Sequence, residues 1–172
     1  VLAAIFIVCG SFDASAEFKS AELFRKGYWR VELTKVTDDN SFWCSAETSN
    51  TKNQSFSVTT FDDRSAMLMI FDPSWELTRR PVKFIIDIDY DRWTIDGRAG
   101  EKAVSVFLEG NGKASSFLED LANGSGVALY NSQEQRLATF SLRGSRDALL
   151  MLLECWEKIV SKDPFGNDPD PF

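Results

Sequence analysis

The chain has no histidine among its 172 residues. That absence removes the side chain that most often titrates near neutral pH. It also removes Ser-His and Cys-His nucleophile pairs and the commonest zinc ligand. No glycine pattern of the phosphate-cradling or dinucleotide-binding kind is present, so no nucleotide cofactor is expected. After the first ten residues there is no apolar run long enough to span a bilayer, so no membrane insertion is expected. Prolines number only five and the apolar fraction is 44%, which argues for a folded globular chain rather than a disordered one. Positive charge is in short supply too. The formal net charge of −7 argues against nucleic acid and anionic membrane surfaces, and favours a basic protein partner.

What is present first is an export pattern. Val1 to Gly10 is apolar, Ser11-Phe12-Asp13 breaks the run, and Ala14-Ser15-Ala16 offers a small-x-small site before Glu17. This reads as residues 1–16 of a secretory signal peptide, entered part-way through, and places the protein in the periplasm or outside the cell. A globular domain is expected over 17–162, followed by a disordered tail over 163–172 that repeats Asp-Pro-Phe. Cys9 leaves with the signal; Val8 before it does not suit a lipid-attachment site. In an oxidising compartment, the two cysteines that remain, Cys44 and Cys155, are expected to form one disulfide.

The hydropathy period is mostly two. Trp29 to Leu33, Ser41 to Thr48, Ser55 to Phe61, Val82 to Tyr90, Trp93 to Ile95 and Ala103 to Leu108 alternate as half-buried strands do. Ala66 to Phe71 is apolar throughout and reads as a strand buried on both faces. Val127 to Tyr130 and Leu137 to Leu142 are further strands. Residues 17–27 are expected to form a short helix ended by Gly27. Ser116 to Glu119 has the form of a capping box, opening a helix that Asn123-Gly124 closes. A last helix follows Gly144-Ser145, with Leu149, Leu152, Leu153, Trp156 and Ile159 or Val160 on one stripe and Cys155 beside it. The expected fold is α+β: a mostly antiparallel β-sandwich or open barrel of about eight strands, with the C-terminal helix packed on it.

Chemistry-bearing patterns are sparse. Asp87, Asp89 and Asp91 are spaced like the start of a calcium loop, but Arg92 and Arg98 occupy the positions that would need Gly and Glu. Alternation puts Asp87 and Asp89 on the solvent face of their strand. No pair of carboxylates stands out for glycoside hydrolysis, so no catalytic residue is assigned. Trp43 is out of phase with Phe42 and Cys44. Either a second sheet layer covers it, or it is an exposed interface anchor.

Two stretches resemble the invasion-associated locus B family of exported alphaproteobacterial proteins. They are Trp29-Arg30-Val31 and Phe140 to Leu149, the latter similar to that family's closing strand, turn and helix. Glu32 stands where that family carries a cysteine. This resemblance implies an exported, non-enzymatic interaction protein. Ser125-Gly126-Val127-Ala128-Leu129-Tyr130 resembles the Ser-Gly-x-x-Tyr loop of periplasmic lysozyme inhibitors, with one residue more before the tyrosine. That resemblance implies a loop hydroxyl from Ser125 directed at the carboxylates of a lysozyme cleft, with Tyr130 nearby. Together these features lead to the expectation of an exported, soluble, non-catalytic protein that binds a basic protein, such as a c-type lysozyme. Its candidate contact residues are Ser125, Gly126, Tyr130 and Trp43. The alternative is an envelope or virulence-associated interaction protein that uses the tail or an aromatic patch.

Overall fold

The computed structural model describes residues 18–38, 40–110 and 112–161. The signal-peptide reading of 1–16 and the tail reading of 163–172 lie outside these residues. Ten strands and two helices follow in chain order. They are β1 (Phe18–Lys26), β2 (Trp29–Val36), β3 (Phe42–Ser49), β4 (Ser55–Phe61), β5 (Ala66–Phe71), β6 (Leu77–Ile88), β7 (Asp91–Glu101), β8 (Ala103–Phe107), α1 (Gly112–Asn123), β9 (Gly126–Asn131), β10 (Arg136–Ser141) and α2 (Ser145–Val160). All ten strands belong to one antiparallel sheet in the order β1-β2-β3-β4-β5-β8-β7-β6-β9-β10. The fold is therefore α+β and mostly β, as expected, with ten strands where about eight were anticipated.

Nine of the ten coincide with stretches read above as strands; the tenth is β1, which corrects the expected helix over 17–27. Gly27 does not end a helix. With φ +61° it occupies the first central position of the two-residue hairpin Gly27-Tyr28, and Lys26 pairs with Trp29 across it. Such a turn needs a positive φ at that position, which glycine adopts without steric cost. Sheet pairing outweighs the weak helical pattern of Ala21, Leu23 and Phe24, and β1 forms a mostly exposed edge.

Alternation along the strands sends one face inward. Val31, Cys44, Ala46, Phe56, Val58, Leu68, Ile70, Phe84, Ile86 and Leu129 are all buried on it. Burying each large aliphatic or aromatic side chain contributes roughly 1.5–3 kcal/mol. The run Ala66 to Phe71 is not buried on both faces: Leu68 and Ile70 are buried, while Met67, Met69 and Phe71 are only half-buried on the other side.

Helix α2 covers the inner face through Ala148, Leu149, Leu152, Cys155 and Ile159. Cys155 is at the centre of this stripe rather than beside it. That rotation leaves Leu153, expected in the stripe, 46% exposed. The expected disulfide joins Cys155 to Cys44 on β3, with Cα atoms 6.1 Å apart. Helix α1 starts earlier than the capping box implied. Ser116 is inside it and its hydroxyl donates back to the Gly112 carbonyl at 3.0 Å, so it caps nothing. Asn123 ends α1 as expected. Ser145 ties the two helices together by donating its buried hydroxyl to the Leu121 carbonyl at 2.7 Å.

The far end of the sheet is fastened to its beginning by side chains. Trp29 Nε1–H donates to the Ser141 carbonyl (3.2 Å), Asn50 Nδ2–H to the Thr139 carbonyl (3.1 Å) and Gln54 Nε2–H to the Leu137 carbonyl (3.3 Å). These are alternate carbonyls of the β10 region, facing away from β9. A bare sheet edge invites pairing with other chains, and here three side-chain donors occupy one. Gln54 is held by the buried Asp72 carboxylate at 2.5 Å. Burial works to raise the Asp72 carboxyl's pKa. The Ser74 hydroxyl, the Gln54 amide and the Ser74 N–H outweigh it and hold the group below the usual carboxylate range.

Candidate functional site

Of the four sequence-selected contact residues, Ser125 and Gly126 lie where β9 begins and Tyr130 is four residues beyond Gly126 on the same strand. Helix α1 stops at Asn123, where Gly124 N–H donates to the Asp120 carbonyl at 2.8 Å. A Cβ on Gly124 would come within 2.7 Å of Ile88 Cγ2 and 2.8 Å of Leu142 Cδ1. Only glycine lets the helix end sit this close to the end of β6, and that approach aims Ser125 and Gly126 at the β6–β7 turn.

That turn is Asp89-Tyr90, with Ile88 paired to Asp91 across it. Both residues have positive φ, +48° and +83°, as a type I′ hairpin requires. Aspartate tolerates this region, whereas tyrosine rarely adopts it. The Asp89 carboxylate accepts the Ser125 N–H at 2.6 Å and the Gly126 N–H at 3.0 Å, and Asp89 N–H donates to the Gly126 carbonyl at 3.3 Å. The turn and the loop are thus clamped to each other. Asp89 is therefore not a solubilising group on a strand face, as alternation suggested; it is in the turn and holds a neighbouring loop.

Tyr90 is 93% exposed beside this clamp, and its N–H donates to Asp87 Oδ1 at 2.9 Å. Asp87 is half-buried and 3.9 Å from the Arg92 guanidinium. Tyr130 lies on β9, opposite Ile85 and Arg136. The Arg92 guanidinium is 5.4 Å from its ring centre, within cation–π range, and a guanidinium nitrogen lies 3.5 Å from Glu134. Between the clamp and Tyr130 is an open hollow of about 300 Å³, lined by Asp87, Tyr90, Gly126, Ala128, Tyr130 and Thr139 among others.

Trp43 does not join this group. It lies on the outer face of β3, opposite Thr34 and Phe61, with the Phe18 ring edge-on at 5.6 Å. It is half-buried, neither fully exposed nor covered by a second sheet among the described residues. Tyr90, Asp89 and Arg92 were missed from sequence. The available signal was an aspartate opening a two-residue gap between alternating runs. The bulky Tyr90 hid it, because a type I′ turn usually announces itself by Asn-Gly or Asp-Gly.

The Asp89 carboxyl is held below its ordinary range. The Ser125 N–H is the main cause, acting against desolvation, with the Gly126 N–H and the Ser125 hydroxyl adding to it. A carboxyl lowered in the folded state stabilises the clamp above the unfolded pKa, about 3.9 for Asp, and the contribution fades as pH falls through the lowered value. The Ser125 amide proton should therefore keep a constant, hydrogen-bonded chemical shift from neutral pH down to about pH 4 and move only below it. Asp89→Asn should remove that titration. A Ser125 amide that titrates identically in both proteins would show the clamp to be absent in solution.

Among the described residues, no group of three His, Cys, Asp or Glu side chains converges to hold a metal ion. No helix of the described residues is long and apolar enough to cross a membrane. Comparison with protein-family models, with curated proteins and with solved structures finds no match to this chain.

Proposed function

We propose that this chain is an exported, non-catalytic protein that binds a basic protein partner through the rim formed by Tyr90, Ser125-Gly126 and Tyr130. The observation that carries the reading is the Asp89 clamp, which holds the loop beside an almost fully exposed tyrosine. A fixed loop loses little conformational freedom on binding, and tyrosine supplies large contact area with few rotatable bonds. The chain's acidity would steer a basic partner toward it. The frame behind the rim reads as an open barrel, a reading supported by the three side-chain bonds onto the β10 region. The Cys44–Cys155 bridge suits an oxidising compartment outside the cytoplasm.

A c-type lysozyme is the specific target we propose. The Ser125 amide is engaged with Asp89, which fixes the loop, and Tyr90 joins the Ser125 hydroxyl and Gly126 as a proposed contact. The test is inhibition of a c-type lysozyme by the purified chain at ~0.15 M salt, where the Debye length of ~8 Å suppresses loose acid–base attraction. Saturable inhibition is expected. Tyr90→Ala, and separately Ser125→Ala combined with Gly126→Ala, should each weaken it by roughly tenfold, about 1.4 kcal/mol. Parent-like inhibition by both variants would move the site elsewhere, and absent inhibition would remove lysozyme as the target. The second reading, an envelope interaction protein, draws on the Phe18–Trp43 pair, where Phe18 is 59% exposed.

A further inference from the structure

Strand β6 outruns its neighbour β9. The two pair only from Phe84, opposite Asn131, to Ile88, whereas the first half of β6 pairs with β7 alone. Where β9 turns away at Asn131, a hollow of about 530 Å³ opens on the inner face of the sheet. It lies at the other end of the β6–β7 hairpin from the Asp89-Tyr90 turn. The buried core residues Phe84, Val104 and Leu129 line it, together with the half-buried Trp75, Val82 and Leu137. Its size falls within the ~300–1,000 Å³ of small-molecule sites, which are mostly apolar with a few polar groups that fix orientation.

The polar residues around this hollow are Arg80, Lys83, Asn131 and Ser132. Among the described residues no aspartate or glutamate lines it. Lys83 is paired with Asp96 at 2.5 Å. Arg80 makes no ion pair among the described residues. Its Nη1 donates to the Thr78 carbonyl at 3.2 Å and to the Thr78 hydroxyl at 3.0 Å, which leaves the Nε and Nη2 edge of the guanidinium for a ligand. An acidic chain thus sets one uncommitted cation beside an apolar hollow.

We propose that this hollow binds a single-chain carboxylate, with its hydrocarbon among the apolar walls and its head on the Arg80 guanidinium. The planar fork matches the two oxygens of a carboxylate, and the paired charges attract at the boundary with water. One guanidinium balances one negative charge, whereas a dianionic phosphate head would leave a charge unmatched. Arg80 is itself exposed, so the head need not be stripped of water before the chain is buried.

The test is isothermal titration of the full chain with decanoate, below its micelle-forming concentration and at ~0.15 M salt, where loose attraction is screened. Saturable binding of one decanoate per chain is expected. Octanoate, two methylenes shorter, should bind roughly tenfold more weakly. Arg80→Gln should weaken decanoate binding at least tenfold. Arg79→Gln should bind like the parent, because Arg79 already pairs with Glu101 at 3.1 Å and does not line the hollow. Decyltrimethylammonium, with the same chain and the opposite charge, should not bind measurably. As a second readout, nuclear Overhauser contacts should join the decanoate methylenes to the Leu129 and Leu137 methyls. Absent saturation would overturn the proposal, as would equal affinity for octanoate and decanoate. Parent-like binding by Arg80→Gln would overturn it too, by moving the ligand to another apolar surface. Equal binding of the cationic amphiphile would remove Arg80 from recognition and overturn it equally.

Discussion

Replacing Cys44 and Cys155 together with alanine should destabilise the protein by about 2–5 kcal/mol, the range for native disulfides. The bridge spans 111 positions, so reduction returns a large loop to the unfolded ensemble. The chain-entropy relation gives ~4.7 kcal/mol for a loop of about one hundred residues, and real bridges often deliver less. Both sulfurs are buried where α2 meets β3, so the variant also loses contacts at that junction. Each kcal/mol shifts the midpoint of a domain this size by roughly 2–4 °C, which places the expected fall near 10 °C. Circular dichroism melts with and without dithiothreitol provide the check. The reduced parent should melt with the double variant, and a reduced parent that melts with the oxidised one would remove the bridge from the stability account.

The second large effect is expected at Trp29. Its ring is completely buried between the sheet and the Ser141 end of β10, and its indole N–H makes one of the three bonds onto that edge. Trp29→Ala should cost about 3–5 kcal/mol, the range for truncating a buried aromatic side chain. Trp29→Phe separates the two contributions. It retains most of the buried surface but removes the donor, and should cost about 1–3 kcal/mol because the Ser141 carbonyl loses its partner. Urea titrations of the parent and both variants measure these differences. A Trp29→Ala protein as stable as Trp29→Phe would mean that packing, and not the bond, contributes little at this position.

Period-two patterning made most of the strands legible. Trp29 to Leu33, Ser55 to Phe61 and Val82 to Ile88 all alternate in the sequence and all pair in the sheet. β1 was hidden because Ala21-Glu22-Leu23-Phe24 breaks alternation. The structure explains the break by a register shift between Glu22 and Phe24, which lets two neighbouring apolar residues lie in one strand. The disulfide was legible because the expectation of export set Cys9 aside and left one pairing. The candidate rim was only half legible. Ser125, Gly126 and Tyr130 lie together because β9 begins at the loop, whereas Asp89 and Tyr90 arrive from 36 residues earlier through a hairpin. No local pattern records that approach. Trp43 was separated from the rim because sequence phase gives a face of the sheet and not a position along it.

The three donors Trp29, Asn50 and Gln54 meet carbonyls two residues apart, and this regularity has a use in tracing descent. Loops and surface charges drift freely, but a tryptophan, an asparagine and a glutamine that jointly stitch one strand can be exchanged only in concert. A distant cousin of this chain should be recognisable by an indole opening its second strand and two amide side chains flanking the turn between its third and fourth.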